Sequence, residues 1–136
     1  MLNLRLKPLA LATLLAAALG TALAADLKLT GDQEVPANTS TAVGTGTITV
    51  AADGAVSGSV SAPGLAGTAA HIHVAAAGAN GPVIIPLTGG PGNTWTVPAG
   101  AKLTAEQLDA YKAGNLYVNI HSAEHKGGEI RAQLKP

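Results

Sequence analysis

Residues 43–61 read VGTGTITVAADGAVSGSVS, which is two alternating segments separated by an Asp-Gly pair. In the first segment three threonines alternate with Gly46, Ile48 and Val50, and in the second three serines alternate with Val56, Gly58 and Val60. Alternation with a period of two is the pattern of a β-strand that has one buried face. The stretch therefore predicts a β-hairpin within an all-β fold.

The length of the turn decides which faces of this hairpin meet. A two-residue Asp-Gly turn would place Val50 opposite Ser57 and would mix the apolar and polar faces. A three-residue loop at 52–54 pairs Val50 with Val56 and keeps the apolar faces together. This loop also puts Gly54 at the left-handed position of a bulged hairpin. We therefore predict the second register.

Short strands and turns continue on both sides of the hairpin. Turn signals recur about every ten residues, which is typical of a sandwich or barrel. A capping box between Thr104 and Gln107, with Gly114 as the stop, predicts one helix. Further strands are predicted at 26–30, 69–75, 83–87 (at an edge, because prolines flank it), 94–97, 116–121 and 128–134, with a turn at 89–93. We therefore predict an all-β, Greek-key-like β-sandwich or barrel with one short helix.

The first 24 residues have the features of a secretory signal peptide. Arg5 and Lys7 precede an apolar run at 9–19, and residues 22–24 (Ala-Leu-Ala) offer a small-x-small cleavage site. The run is about half of the ~20 residues that a membrane-spanning helix needs, which disfavours a membrane-anchoring or buried helix. We expect a signal peptide at 1–24, one mature domain at 25–136 with no transmembrane segment, and a secreted or periplasmic location.

The composition narrows the class of protein. Without Arg5 and Lys7 the chain has six basic and eight acidic side chains, and it lacks the Lys and Arg clusters that nucleic acids or anionic membranes require. It has no Cys and no Phe, so its core must be aliphatic and cannot rely on disulfides. One Trp and two Tyr argue against a large protein interface, because interface anchors are often aromatic.

All four histidines lie in two short stretches, 71–73 and 121–125. Strand alternation places His71 and His73 on one face. The aliphatic residues of the strand at 116–121 put His121 on the face opposite the core, and His125 lies in a turn that can fold back over that face. Neutral imidazoles at such spacings suit Zn²⁺ or Cu²⁺. We predict a copper or zinc site formed by His71, His73, His121 and His125; the alternative is imidazoles hydrogen-bonded to neighbouring backbone.

Two charged residues of the last predicted strand, Glu129 and Arg131, share the face opposite Ile130 and Leu134. Glu129 would orient a ligand imidazole through a hydrogen bond, and Arg131 would attract an anion to the site. The alternative for Glu129 is a solvated surface charge. The alternative for Arg131, and the favoured one, is a cross-strand pair with a carboxylate.

Four motifs resemble the CHRD domain, which is named for its occurrence in chordin and is also found in exported bacterial proteins. They are LTGDQEVP at 29–36, HIH at 71–73, YVNIH at 117–121 and GEIRAQL at 128–134. The chain departs from the usual form at Lys126, where proline is common, and at Ala132, where glycine is common; neither is a candidate ligand. In chordin the repeats belong to a protein that binds growth factors. The resemblance implies a β-sandwich domain and does not by itself specify an activity.

A looser likeness is to copper–zinc superoxide dismutase, which carries a His-x-His copper pair on the outside of a Greek-key barrel and a later ligand histidine. His71, His73 and His121 match this set in type and order. The chain lacks the cysteines of that family's disulfide and its histidine-rich zinc loop. We therefore predict weak or no dismutase activity.

Three functions follow from these patterns. The favoured one is an exported, non-catalytic binding module whose ligand is a copper or zinc ion. The second is a superoxide-dismutase-like copper redox enzyme, which needs an open position on the metal. The third is an adhesion or ligand-binding domain without metal, whose partner is an extracellular protein bound through an exposed apolar patch.

Overall fold

The computed structural model describes residues 23–136, and these residues form nine β-strands and one α-helix. The elements are β1 Leu23–Thr30, β2 Val43–Val50, β3 Val56–Ser61, β4 Gly67–Val74, β5 Val83–Pro86, β6 Thr88–Gly90, β7 Thr94–Thr96, α1 Ala105–Lys112, β8 Leu116–Ser122 and β9 Ile130–Leu134. The prediction of an all-β fold with one short helix is confirmed. The predicted signal peptide lies, except for residues 23 and 24, outside the described residues.

The hairpin of β2 and β3 has the predicted register. Val50 pairs with Val56, and Gly54 in the intervening loop has a φ of 90°. The side chains of Ile48, Val50 and Val56 are all buried. A shift of one residue would turn these side chains out of the core, so hydrophobic burial fixes the register.

All nine strands belong to one antiparallel sheet, in the order β5-β4-β8-β9-β1-β2-β3-β7-β6. The two outermost strands, β5 and β6, are consecutive in the chain and are separated only by Leu87. Because one extended residue spans at most about 3.6 Å, the two edges of the sheet come close together there. The sheet therefore curves into a nearly closed barrel. Three pairs of neighbouring strands in it are not consecutive in the chain: β4–β8, β9–β1 and β3–β7.

Aliphatic side chains from both halves of the sheet form a single core. Ile72, Val118, Ile120, Ile130 and Leu29 are completely buried. Five such side chains, from β1, β4, β8 and β9, stabilise the fold by roughly 1.5–3 kcal/mol each relative to exposure to water. The core therefore holds the sheet together without a disulfide, as the composition requires.

The helix α1 begins and ends where the sequence predicts. Thr104 accepts a hydrogen bond from the backbone N–H of Gln107, whose side chain in turn accepts one from the Thr104 N–H. Gly114 follows the last turn with a φ of 78°. Leu103 and Tyr111 are buried, so the helix covers part of the core. Across residues 23–136, no helix has the length and apolar character needed to cross a membrane.

One strand, β6, lies where the sequence indicated a turn at 89–93. Thr88 pairs with Thr96, and Gly89 pairs with Trp95 in β7. Glycines have low strand propensity, which is why the sequence pattern favoured a turn. The indole of Trp95 lies so close to Gly89 that an added Cβ would come within 2.8 Å of it. Packing of an aromatic ring on a glycine stabilises such an edge strand.

The outer face of β4, β8 and β9, opposite the core, carries rows of polar side chains. The strand register forms one row from His71, Asn119 and Arg131, and the next row from His73, Tyr117 and Gln133. His121 lies opposite Ala69. Directly opposed side chains have Cβ atoms about 4.5–5.5 Å apart. The fold therefore brings the strand histidines onto one side of two adjacent strands.

A covering loop, residues 75–82, closes over part of this outer face. Arg131 donates hydrogen bonds to the carbonyls of Ala79 (2.9 Å) and Ala76 (3.2 Å). Gln133 donates to the carbonyl of Ala75 (2.7 Å). As a result Arg131 is only 1% exposed. The outer face is thus a second, polar layer rather than a free surface.

Replacing Gly54 by Ala tests the hairpin geometry. An L-residue in the left-handed region costs about 1–2 kcal/mol, and the new Cβ would lie 3.0 Å from the carbonyl oxygen of Leu103. We expect Gly54→Ala to lower the free energy of unfolding by about that amount in urea titrations. The control is Gly127→Ala, which meets no atom within 4 Å and should change stability by less than about 0.5 kcal/mol. Equal unfolding midpoints for the two variants would contradict the predicted geometry.

Candidate metal centre

Three of the four histidines come together on the outer face. His71 and His73 come from β4 and His121 comes from β8, and each offers a ring nitrogen within 4.8 Å of the other two. Nδ1 of His71 lies 3.0 Å from Nε2 of His121. A metal ion binds each nitrogen at about 2.0–2.1 Å, so ligand nitrogens are roughly 3–4 Å apart. The group is therefore slightly wider than a metal-bound set.

A backbone carbonyl fixes the proton of His121. Its Nδ1 lies 2.8 Å from the carbonyl oxygen of Lys126. Since a carbonyl only accepts, Nδ1 carries the proton and Nε2 presents its lone pair toward His71. Metal-binding histidines are commonly supported in this way. Lys126 takes part through its backbone, so the departure from the proline common in the CHRD domain leaves this bond intact.

His73 is the buried member of the group, at 7% exposure. Its Nδ1 donates to the carbonyl of Gly81 in the covering loop (3.0 Å), and its Nε2 lies 2.9 Å from Oδ1 of Asn119. Both nitrogens of His73 therefore already have neighbours. Binding of a metal through Nε2 requires the Asn119 amide to move away from it.

A stack of three side chains holds the ring of His73. The ring of Tyr117 is parallel to the imidazole of His73, with 4.6 Å between the centroids and 1° between the planes. On the other side of Tyr117, Cζ of Arg131 lies 3.5 Å from the ring centroid. Stacking between flat groups in a water-poor layer restricts rotation of the imidazole. The stack therefore fixes the plane in which His73 presents Nε2.

Arg131 contacts protein acceptors rather than open solvent. Besides the two carbonyls of the covering loop, its guanidinium donates to Oε1 of Gln133 (3.1 Å) and lies 3.4 Å from Oδ1 of Asn80. No carboxylate is among the hydrogen-bond acceptors of Arg131 in residues 23–136, so the favoured cross-strand pair is not seen there. The attraction of an anion by Arg131 stays a prediction.

Glu129 is buried, at 7% exposure, and its carboxylate is held by two serines. Ser40 donates to Oε2 (2.8 Å) and Ser122 donates to Oε1 (2.7 Å). Hydrogen bonds of this kind compensate a buried charge. The structure describes no hydrogen bond between Glu129 and a histidine within residues 23–136, and its orienting role stays a prediction.

His125 lies apart from the three-histidine group. It lines a cavity of about 260 Å³ whose wall also includes Glu34, Asn38 and Asn80. Its backbone N–H donates to Oγ of Ser122 (3.1 Å), which fixes the turn before β9. His125 is not among the three residues whose ring nitrogens converge, and its role as a fourth ligand stays a prediction.

Burial lowers the pKa of His71 and of His73 below the usual value of 6.5. For His71, the neighbouring imidazoles of His121 and His73 lower the pKa further. For His73, burial outweighs the hydrogen bonds to Gly81 and Asn119, which act in the opposite direction. Both imidazoles are therefore neutral near pH 7, which is the form that binds metals.

Glu34 is a buried residue to which the sequence patterns assigned no role. It is 5% exposed, and its Oε1 has no hydrogen-bond partner within the described chain. Burial raises its pKa to about 7, although the side chain of Asn119 and the charge of Arg131 act to lower it. A Cβ at Gly128 would collide with both Glu34 and Asn119. The motif at 29–36 contains Glu34, but a loop has no periodicity that would predict its burial.

These observations define an all-β domain with a three-histidine group on the outer face of a curved sheet, supported by a polar layer beneath a covering loop. Residues 26–134 match the CHRD domain family. The chain therefore belongs to the CHRD domain family, and the resemblance seen in its motifs is confirmed. No curated protein and no solved structure matches the chain, and the likeness to copper–zinc superoxide dismutase is not confirmed.

The raised pKa of Glu34 predicts a pH-dependent stability. A carboxyl whose pKa is higher in the folded state than in the unfolded state stabilises the fold while it is protonated. This contribution is complete below the unfolded-state pKa and is lost as the pH rises through the folded-state pKa. From pH 4.5 to about 7, the wild type should therefore lose stability relative to Glu34→Gln. Urea unfolding at several pH values measures this difference.

The two proteins differ only at residue 34, so the difference reports on the Glu34 carboxyl and on groups coupled to it. Glu124→Gln, at an exposed position, is the matched control and should show no such pH-dependent gap. A gap for Glu34→Gln that is constant from pH 4.5 to 8 would contradict the assigned pKa.

Proposed function

We propose that this protein is an exported, non-catalytic module that binds a copper or zinc ion through His71, His73 and His121. The observation that carries the proposal is the convergence of three ring nitrogens within 4.8 Å on adjacent strands. Export rests on the signal-peptide pattern of residues 1–24. Membership in the CHRD domain family supports a binding role rather than a particular reaction.

The chemistry of the donor set favours these two metals. All three candidate ligands are imidazoles, which suit Zn²⁺ and Cu²⁺. The chain has no Cys and a single Met, at position 1, so it lacks the soft sulfur ligands that select Cu⁺. The lowered pKa values of His71 and His73 keep them in the neutral, metal-binding form.

The burial pattern supports a metal site near the surface. His71 and His121 are partly exposed, while His73 lies behind them. An ion held by these three histidines would keep at least one position open to water or to an exchangeable ligand. Elemental analysis of protein purified from its native compartment identifies the ion, and the absence of copper and zinc there would contradict the proposal.

Replacing His121 by Ala tests the ligand set. Because loss of a group that merely supports a ligand costs about 10–100-fold in affinity, loss of the ligand itself should lower Zn²⁺ affinity by more than that. Titration against a chelator of known affinity measures the change, and an unaltered thermal transition shows that the fold is intact. Unchanged affinity in His121→Ala would contradict the proposed site.

His125→Ala is the matched control, because it removes the same chemical group from outside the three-histidine group. We expect it to leave Zn²⁺ affinity nearly unchanged. A loss as large as that of His121→Ala would mean that the site has four histidine ligands.

Metal affinity should also depend on pH. Protons compete with the metal for the imidazole lone pair, so affinity falls as the pH drops. Since burial and the neighbouring imidazoles lower the pKa of His71 and His73, protonation competes only at lower pH. We expect the midpoint of the loss of Zn²⁺ affinity to lie below 6.5, the usual imidazole pKa. A midpoint clearly above 6.5 would show that these rings are not the ligands.

A further inference from the structure

We propose that Glu34 is a positioning residue for the metal centre, and that it acts through the side-chain amide of Asn119 to determine whether Nε2 of His73 is free to bind a metal. The inference rests on the proposed metal-binding function and adds a residue that does not touch the ion.

The three side chains form a continuous buried chain. Asn119 is 2% exposed and places Oδ1 2.9 Å from Nε2 of His73. Its NH₂ group lies 3.5 Å from the carbonyl oxygen of Gly127 and also faces Oε1 of Glu34, which has no hydrogen-bond partner in the described chain. Both groups lie beside Gly128, where an added Cβ would collide with them. The Asn119 amide is therefore confined between a carboxyl group and an imidazole, so a change at one end is transmitted to the other.

The amide has one donating end and one accepting end. When Glu34 is ionised, its oxygens accept only, and they attract the NH₂ group of Asn119. Oδ1 then faces His73, which is the orientation seen in the structure. Because Nδ1 of neutral His73 donates to Gly81, Nε2 carries a lone pair that Oδ1 cannot satisfy. In this state no donor occupies the lone pair of Nε2, so a metal has only to move the Asn119 amide aside and breaks no hydrogen bond to Nε2.

Protonation of Glu34 reverses the amide. The carboxyl O–H donates to Oδ1 of Asn119, and the NH₂ group turns by 180° and donates to Nε2 of His73. This hydrogen bond occupies the lone pair that a metal would use. Metal binding and protonation of Glu34 are therefore mutually exclusive, and a bound ion releases the Glu34 proton to solvent.

The other charged groups around Glu34 are few. Arg131 from β9 favours the carboxylate. His125 lines the same cavity from the turn before β9, and Asp32 lines a second cavity beside Glu34. Neither His125 nor Asp32 has a hydrogen bond to Glu34 in the described chain. The Asn119 amide is thus the route by which the state of Glu34 reaches the histidines.

The test is the number of protons released per Zn²⁺ bound at pH 6.5, measured by calorimetry in buffers of different ionisation enthalpy. A carboxyl with a pKa of about 7 is mostly protonated at this pH, so the wild type should release roughly half a proton or more beyond Glu34→Gln. The amide introduced by this substitution also donates to Asn119 and holds the Asn119 NH₂ group on His73. We therefore expect Glu34→Gln to bind Zn²⁺ about 10–100-fold more weakly.

Asn119→Ala removes the transmitting amide. In the Asn119→Ala background, Glu34→Gln should change neither Zn²⁺ affinity nor proton release. Asn119→Ala alone should release fewer protons than the wild type, because the Glu34 proton is no longer linked to the metal. This single variant tests the proposal even if Glu34→Gln folds poorly. Equal affinity and proton release for the wild type and Glu34→Gln would overturn the positioning role and leave the metal site standing. If the wild type binds neither Zn²⁺ nor Cu²⁺, the proposed function fails and this inference fails with it.

Discussion

The buried guanidinium of Arg131 is the interaction on which the outer layer of this domain depends. It is a cation at 1% exposure, and such a charge is tolerated only when its donors are satisfied. The carbonyls of Ala76 and Ala79 satisfy it from the covering loop, and the face of Tyr117 satisfies it from β8. The same loop supplies the Gly81 carbonyl that fixes the proton of His73. Arg131 thus connects the sheet, the loop and the state of a candidate ligand.

Strand alternation produces both layers of the molecule at once. In β4 and β8, Ile72 and Val118 point into the aliphatic core, while His71 and Asn119 point to the other side. Burial of the first set determines the register, and the register then determines which polar side chains meet. The polar layer is buried in turn by loops, so its groups need partners. Glu129 obtains them from two serines, and Glu34 is the exception.

The sequence predicts what local periodicity controls. Alternation and turn chemistry predict the β2–β3 register, the shared face of His71 and His73, and the placement of His121 on the side opposite the core. The covering loop is not predictable in this way, because Arg131 bonds residues more than fifty positions away in the chain. The burial of Glu34 and the direction of His125 depend on loops, which lack any period. These contacts are visible only once distant segments are packed together.

The arrangement of the proposed site argues for an exchangeable rather than a structural metal. The aliphatic core contains none of the three histidines, so an ion at the proposed site would not take the place of core side chains, in contrast to domains whose zinc replaces a core. Nδ1 of His71 and Nε2 of His121 share a hydrogen bond of 3.0 Å, and Nε2 of His73 adjoins Oδ1 of Asn119. A metal at the proposed site must therefore displace both contacts, and its apparent affinity is reduced by the fraction of molecules in which the three ring nitrogens are not free. A site whose ligands return to internal partners when the metal leaves suits a module that takes up an ion and later releases it.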